Sequence, residues 1–350
     1  MKKTTAFLLA LLLVVFSVPD AFGSALVCCD CDCDGAVEAS DARSALRLAI
    51  GLDTLTPELL AAADADFSGD ITADDARTIL RISIGLDEAP APSPVFSMDC
   101  VPAYTEFAYA VINLNRPFFD ASDFPDGSFE SYGELDGLGR CTEACARISE
   151  SLMPDSARGD ISSVEPTGFS DASYDFIPGR LLFNRCHLIA YSLTGENANP
   201  NNLITGTRYM NNLGMLPFET AVAEHIRSNG GSVLYRVTPV FAGSELVCRG
   251  VLIEALDESE ESDFSFCVFC YNVQPGVMID YTTGDSSLSD EETADSGPEA
   301  DYILNPSSGV FHEPYCRLAP AVGAENRIEY CGNRERLIEA GYRPCSVCKP

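Results

Sequence analysis

One pattern occurs twice between residues 30 and 87, and the two copies are offset by 34 residues. In each copy, oxygen-bearing side chains stand at loop positions 1, 3, 5, 9 and 12, glycine stands at position 6, and a stretch of helical periodicity follows. Calcium takes several oxygen ligands at this spacing and needs a sharp turn at such a glycine. The pattern therefore predicts two calcium-binding loops. The predicted ligands are Asp30, Asp32, Asp34, Glu38 and Asp41, and Asp64, Asp66, Ser68, Thr72 and Asp75.

The last ligand of each loop is aspartate, where glutamate is usual, and no helical pattern precedes the first loop. Residues 26–87 thus resemble a type I dockerin. The resemblance implies a small all-α calcium-binding module that docks onto a cohesin module of a scaffolding or cell-surface protein. The alternative, an acidic solvated turn, does not explain two copies in register. Cys31 and Cys33 lie among the first set of ligands, where thiol chemistry can disturb the site.

The stretch Asn184-Arg185-Cys186-His187 lies between two apolar runs, and a segment with helical periodicity follows at about residues 207–227. The chain has three histidines, and His187 is the best placed for proton chemistry because an imidazole with a pKa of ~6.5 is a neutral base near pH 7. The alternative is a core histidine with satisfied hydrogen bonds. His225, late on the predicted helix, is expected to be a surface or packing residue.

Asn202, Asn211 and Glu219 follow His187 at offsets of 15, 24 and 32 residues. An amide oxygen is a suitable ligand for Mg²⁺, which prefers oxygen and keeps most of its waters. A nearby carboxylate can hold those waters in place. The alternative is that these asparagines cap helices and form turns, which is the expected role of Asn197, Asn199 and Asn201.

With this spacing, roughly residues 100–284 resemble the DNA/RNA non-specific endonucleases of the ββα-metal class, in the branch of secreted nucleases with Asn-Arg-x-His. The resemblance implies that His187 is the general base, that Asn211 is the one direct Mg²⁺ ligand, and that Glu219 orients metal-bound water. Asn202 matches a further asparagine of the family site. Asn184 and Cys186 depart from the commoner Asp and Gly. The expected fold is α+β, with an antiparallel sheet beneath a His-loop-helix unit.

The charge of the chain bears on a nucleic-acid substrate. The formal net charge of −31 argues against a polyanion ligand, but residues 140–250 hold nine arginines against eleven acids. Guanidinium groups bind phosphate as planar forks, and such contacts carry no base sequence. We therefore expect cleavage of DNA, with RNA open, at low sequence preference. The candidate arginines are Arg185 in the motif and Arg208, with Arg140, Arg158 and Arg180 behind them.

Apolar alternation predicts strands at residues 107–114, 232–241, 246–256 and 264–273, and a helix at 134–152. Together these elements predict an α+β domain. The segment 88–99 is rich in Pro, Ala and Ser and is expected to be an exposed linker. Residues 285–301 are acidic and are expected to form a second, disordered linker.

The last unit, residues 302–350, carries His312 and Cys316 as H-x₃-C, and Cys345 and Cys348 as C-x₂-C. Four such ligands suit a tetrahedral structural Zn²⁺. The segment resembles the Ada-like metal-binding modules of some secreted nucleases. That family usually uses four cysteines, so Cys331 is an alternative to His312. A disulfide framework of the same cysteines is the other alternative.

The first 25 residues have a basic start, an apolar middle and small residues at the end, which predicts a signal peptide and an extracellular or cell-surface protein. No other apolar run is long enough to span a membrane. Fifteen cysteines suggest disulfides, with Cys141/Cys145 and Cys267/Cys270 as local pairs.

Two rival functions stay open from the sequence. One is a cysteine hydrolase that uses Cys186 as the nucleophile, although neighbours in a strand point to opposite faces. The other is a non-catalytic cell-surface interaction protein that binds polyanions through a decayed nuclease fold. The complete set of His187, Asn211 and Glu219 favours the enzyme, because a decayed site has little reason to keep it.

Overall fold

The computed structural model describes residues 26–289, apart from 92, 94, 260 and 261, and residues 300–350, apart from 306–308, 323–326, 333, 340 and 341. The predicted signal peptide and residues 290–299 of the second predicted linker lie outside the described residues. Within the described part of the chain, no helix is long and apolar enough to cross a membrane.

The N-terminal module consists of three helices, α1 Ala39–Ala49, α2 Pro57–Ala63 and α3 Ala73–Ser83. The two repeated helices start in the same way. The main-chain N–H of Glu38 donates to the Asp41 carboxylate at 2.8 Å, and that of Thr72 donates to Asp75 at 2.8 Å. Such a contact is half of a capping box, so the last predicted ligand of each loop also starts the following helix.

The central domain contains ten strands and two helices. The strands are β1 Tyr109–Val111, β2 Phe129–Tyr132, β3 Ala144–Ser149, β4 Phe183–His187, β5 Leu203–Thr207, β6 Ser232–Val240, β7 Gly250–Asp257, β8 Ser265–Tyr271, β9 Val277–Ile279 and β10 Ser286–Leu288. The helices are α4 Tyr191–Thr194 and α5 Leu216–Asn229. Six strands form an antiparallel sheet in the order β1-β8-β7-β6-β3-β2, while β4 pairs with β5 and β9 pairs with β10.

The main core lies between one face of this sheet and the unit formed by β4, β5 and α5. Phe218, Val222 and Ile226 of α5 recur at intervals of four residues and are buried. The Phe218 ring lies 5.1 Å from that of Phe266 on β8. The mixed α/β architecture with an antiparallel sheet agrees with the predicted fold class.

Four predicted strands correspond to β1, β6, β7 and β8, but the helix predicted at residues 134–152 is wrong. That segment contains β3, in which Ala144, Ala146 and Ile148 are buried and the residues between them are half-buried. Inward positions therefore repeat every second residue, as in a strand. The pairing with β6 along six residues decides the conformation, against a local sequence that also suits a helix.

The predicted local disulfides are also wrong, because Cys141, Cys145, Cys267 and Cys270 are free thiols. Cys267 and Cys270 stand three positions apart on β8 and belong to clusters on opposite faces of the sheet. Cys141 is buried and its Sγ donates to the carbonyl oxygens of Pro200 and Leu203, each at 3.2 Å.

The C-terminal module is a four-stranded sheet with one helix. Its elements are β11 Ala300–Asn305, β12 Val310–His312, β13 Ile328–Gly332, α6 Arg334–Glu339 and β14 Arg343–Pro344. The strand order is β13-β11-β12-β14. Phe176 of the central domain packs against its core, which includes Phe311 and Tyr342. Since β10 and the start of β11 fall within residues 285–301, the second linker is shorter than predicted.

Candidate active site

His187 is the last residue of β4, and both of its ring nitrogens have partners. Nε2 lies 2.7 Å from the main-chain oxygen of Asn197, and Nδ1 lies 3.3 Å from Nη2 of Arg158. A carbonyl oxygen only accepts, so Nε2 carries the hydrogen and Nδ1 of the neutral ring keeps its lone pair. Burial, and then the charge of Arg158, lower the pKa of His187, against the contrary effect of the Asn197 carbonyl. The ring is therefore a neutral base whose Nδ1 faces an arginine.

Asn197 and Asn202 shape the loop after His187. The Asn202 side chain is fully buried, and its Oδ1 and Nδ2 bond the main-chain N–H and C=O of Ile189 at 2.9 and 3.0 Å. Both polar groups are thus committed to the backbone, which corrects the expectation of a catalytic Asn202; it braces the chain next to the base. The contribution of Asn197 comes from a main-chain oxygen, which side-chain patterns cannot reveal.

Asn211 lies in a π-helical turn, Met210–Met215, that leads into α5. The uniform α-helix expected from the sequence therefore has a different geometry here, and such π segments are frequent at functional sites. Asn211 is half-buried, and its Nδ2 donates to Oδ1 of Asn212 at 3.0 Å. This contact uses the amide nitrogen and not the oxygen that a metal ion would need.

Glu219 stands in the first turn of α5 and is buried. Burial raises the pKa of Glu219 to about 8, although the positive charge of Arg158 acts in the other direction. Among the described residues, Glu219 forms no salt bridge with a basic side chain. A buried carboxylate of this kind is stabilised in its ionised form by a nearby cation. The Glu219 carboxylate and the Asn211 amide both offer the oxygen donors that hydrated Mg²⁺ prefers.

The candidate arginines differ in their surroundings. Arg158 is exposed on the loop that covers β4 and is the one bonded to His187. Arg208 donates from Nη2 to Oδ1 of Asn184 at 3.3 Å, while its Nε is buried and has no hydrogen-bond partner. Arg180 is exposed and lies 3.6 Å from Asp175. Of these, Arg158 is closest to the base, and the sequence alone gave no reason to rank it first.

Two other candidate arginines have partners within the domain. Nε of Arg185 donates to the Val164 carbonyl at 2.6 Å, and its guanidinium lies 4.2 Å from the centre of the Phe169 ring. Arg140 bonds Asp136 at 2.7 Å and two further carbonyl oxygens. Their expected roles in phosphate binding stay predictions.

Cys186 points to the side opposite His187, as alternation along a strand requires. Its thiol is buried in the main core, and burial raises its pKa. A β-carbon placed on Gly206 of the paired strand would lie 2.5 Å from its Sγ. A protonated, enclosed thiol cannot act as a nucleophile, so the cysteine-hydrolase hypothesis is wrong.

The two predicted calcium loops bring carboxylates together. Carboxylate oxygens of Asp30, Asp32 and Asp41 lie within 4.8 Å of one another, and so do those of Asp64, Asp66 and Asp75. Gly35 and Gly69 have φ of 89° and 93°, and their N–H groups donate to the first aspartate at 2.8 and 2.7 Å. These contacts turn each loop around a common centre. The other predicted carboxylate ligands, Asp34 and Glu38, lie outside these close groups.

At the other end of the chain, ligand atoms of His312, Cys316, Cys345 and Cys348 also lie within 4.8 Å of one another. Sγ of Cys316 and Sγ of Cys345 are 4.0 Å apart, which suits two thiolates on one zinc ion and is far longer than the ~2.05 Å of a disulfide. Nδ1 of His312 is buried without a hydrogen-bond partner. The donor set therefore fits Zn²⁺. The side chain of Cys331 is outside those described.

Comparison with known proteins bears on the central domain. The model of the DNA/RNA non-specific endonuclease family matches residues 122–259, which include the base, the π-helical turn and Glu219. This segment is therefore similar to that family, which is one of endonucleases, a class of hydrolases.

Several known nucleases are similar to the central domain. A deoxyribonuclease of Streptococcus dysgalactiae subsp. equisimilis is 36% identical over 108 residues, which are 29% of this chain and 32% of the relative. The chain thus spans about a third of that relative's length. NucA from Streptococcus agalactiae, solved with a magnesium ion bound, is 25% identical with a TM-score of 0.47, covering 53% of this chain and 90% of NucA. The Sda1 nuclease, solved with a bound zinc ion, is 28% identical with a TM-score of 0.44, covering 55% of this chain and 100% of Sda1.

Proposed function

We propose that the chain is an exported, magnesium-dependent endonuclease that hydrolyses phosphodiester bonds of DNA with little sequence preference. RNA is the second substrate to be tested. One observation carries the proposal. The Nε2 hydrogen of His187 is held by the Asn197 carbonyl at 2.7 Å, while Nδ1 faces the exposed Arg158 at 3.3 Å. A neutral imidazole beside a guanidinium suits general-base attack on a phosphate diester.

Each residue has a distinct task in this mechanism. Nδ1 of His187 takes a proton from the attacking water, and the Asn197 carbonyl then stabilises the imidazolium through Nε2–H. Arg158 binds the non-bridging phosphate oxygens as a fork. The amide oxygen of Asn211 would hold Mg²⁺, and Glu219 would hold the waters around it. When bound, the metal ion stabilises the charge that develops on the phosphate and the leaving oxygen.

The direct test is nicking of a supercoiled plasmid. Magnesium should be omitted and restored instead of chelated, because chelators would also remove calcium and zinc. His187→Ala should lower the rate by roughly 10²–10⁴. His225→Ala is the matched control, since His225 bonds Asp257 at 2.7 Å and stacks on Phe264 away from the site. Cleavage that survives His187→Ala would falsify the assignment of the base.

The same assay separates the enzyme from its rival. A non-catalytic protein that binds polyanions would retain plasmid in a mobility-shift experiment without nicking it at any magnesium concentration. Binding without cleavage by the wild-type chain would favour that rival. Cleavage of a single-stranded RNA under the same conditions would extend the substrate class.

The calcium-binding module is proposed to tether the enzyme to a cohesin-bearing scaffold or cell surface. Apolar side chains are exposed at equivalent positions of the two repeats, 34 residues apart. They are Leu46, Ile50 and Leu52, and Leu80, Ile84 and Leu86. Binding to a cohesin module should require calcium and should weaken when Ile50 and Ile84 are both changed to Asp. Equal affinity without calcium would refute the tethering role.

A further inference from the structure

The chain after β1 makes an unusual turn at Asn113–Asn115. These three consecutive residues have φ of 52°, 53° and 60°, in the left-handed region. Single asparagines enter this region readily, but a leucine does so rarely, and runs of such residues are unfavourable. A conformation of this kind persists only where the surroundings hold it. The contacts around Leu114 therefore identify what holds this edge of the nuclease sheet.

One set of contacts comes from the nuclease domain itself and its linker. Oδ1 of Asn115 accepts a hydrogen bond from the N–H of Cys267 on β8 at 3.0 Å. Oδ1 of Asn113 accepts one from the N–H of Ser93 at 2.7 Å. The segment 88–99, expected to be an exposed linker, is thus hydrogen-bonded to the turn through Ser93.

The second set comes from the calcium-binding module. Leu114 is 5% exposed, and it belongs to the core cluster of that module, not to that of the nuclease. Its carbonyl accepts a hydrogen bond from the N–H of Leu26 at 3.0 Å. Nearby, the hydroxyl of Tyr109 on β1 donates to Glu58 of α2 at 3.0 Å. The nuclease domain therefore inserts one side chain into the interior of its neighbour.

The core cluster that encloses Leu114, called its pocket below, includes residues next to the proposed calcium ligands. Cys31 stands between Asp30 and Asp32 in the first loop. In the second loop, Ala63 and Ala65 flank Asp64, and Ala76 follows Asp75. The cysteine and the three alanines are buried in the same cluster as Leu114. The N–H groups of Cys31 and Ala65 also donate to Asp41 and Asp75, at 2.8 and 3.0 Å. Movement of either loop thus moves the wall of the pocket.

We propose that calcium controls the docking of this module onto the nuclease domain, with Leu114 as the element that transmits the effect. The inference rests on the proposed calcium sites. Without a cation, three carboxylates within 4.8 Å repel one another and each loop opens. The pocket then loses its walls, Leu114 is released, and the left-handed turn and the β1 edge relax. Calcium bound to one module would in this way stabilise the folded state of another.

The test uses the full chain at constant magnesium, with and without calcium. Hydrogen exchange is followed in peptides that cover residues 109–116, and calcium binding is measured separately by calorimetry. Calcium should slow exchange in these peptides by about tenfold or more in the wild type. The change should vanish in the double variant Asp41→Asn, Asp75→Asn. Leu114→Ala should still bind calcium but lose most of the slowing.

Leu234→Ala is the matched control, because Leu234 is a buried leucine of the nuclease core in a different cluster. It should keep the calcium response despite a similar loss of packing. Tyr109→Phe, which removes only the hydrogen bond to Glu58, provides a milder second variant and should reduce the response. Calcium binding with no change in exchange would overturn the docking proposal and leave the calcium sites intact. Absence of calcium binding would overturn both, while plasmid cleavage would report on the nuclease independently.

Discussion

At the scale of single residues, the site depends on the proton state of His187. Nε2 is held by a main-chain carbonyl and Nδ1 faces the Arg158 guanidinium, so the stable form is the neutral tautomer with its hydrogen on Nε2. The sequence motif predicts His187 as the base but does not indicate its tautomer, because Asn197 acts through its backbone and Arg158 lies 29 residues upstream of His187. Only the fold brings the three groups together.

The first prediction concerns pH. Burial and the Arg158 charge lower the pKa of His187 below its usual ~6.5. Since the neutral ring is the base, kcat/KM at saturating magnesium should persist below that pH and fall as the pH drops through the lowered pKa. Arg158→Gln removes a positive charge, so the pKa of His187 rises and the acid limb should move to higher pH. Arg180→Gln changes the net charge equally and should leave the limb in place; a shift of the same size there would contradict the assignment.

A second prediction concerns the brace at Asn202. Asn202→Ala leaves two buried main-chain groups of Ile189 without partners, and each unsatisfied group costs roughly 1–3 kcal/mol. The free energy of unfolding should fall by about 2 kcal/mol or more in urea denaturation. Asn201→Ala, next in the chain, should change it little because Asn201 contributes its main-chain N–H to the turn. Equal effects of the two substitutions would argue against the brace.

At the scale of elements, strands β6, β7 and β8 were predictable because each is a long run rich in apolar residues. β3 was not, since its short inward side chains, two alanines and an isoleucine, suit a helix equally well. The π-helical turn before α5 was also missed. Its sequence, MNNLGM, carries no signal that separates it from an α-helix, and the difference arises from packing against β5 and β8.

The third prediction tests the close contact between β4 and β5. A β-carbon at Gly206 would lie 2.5 Å from Sγ of Cys186 and 2.7 Å from Cε of Met210. Gly206→Ala should therefore destabilise the domain by about 1–3 kcal/mol through overpacking, seen as a lower melting temperature. Gly137→Ala is the control, because a β-carbon there meets nothing within 4 Å. An unchanged melting temperature for Gly206→Ala would show that β4 and β5 can move apart without a loss in the free energy of unfolding.

At the scale of the whole molecule, the sequence indicates separate modules but not the contacts between them. The calcium repeat and the Cys/His spacing are visible as patterns because their ligands are regularly spaced. The insertion of Leu114 into one neighbour and the packing of Phe176 on the other follow no repeat or motif. Contacts between modules depend on surface shape, which a single sequence does not display.

The fourth prediction concerns the zinc site proposed for the C-terminal module. Native mass spectrometry should find about one zinc ion per chain, and Cys345→Ser with Cys348→Ser should remove it. Because so small a sheet depends on its metal for folding energy, the same variant should expose Tyr342 and become sensitive to protease. Cys100→Ser, a half-buried free thiol outside the metal groups, should retain the ion. Zinc retained by the double variant would refute the ligand set.

The carbonyl that orients His187 has a further consequence. An alanine scan leaves every peptide group in place, so replacing the Asn197 side chain would keep the oxygen that the imidazole needs. Length is the vulnerable property of this loop. Removing or adding one residue between α4 and β5 would displace that oxygen and leave the ring free to rotate, with no chemical group deleted. We expect such indels to be more damaging than any point replacement in the same stretch.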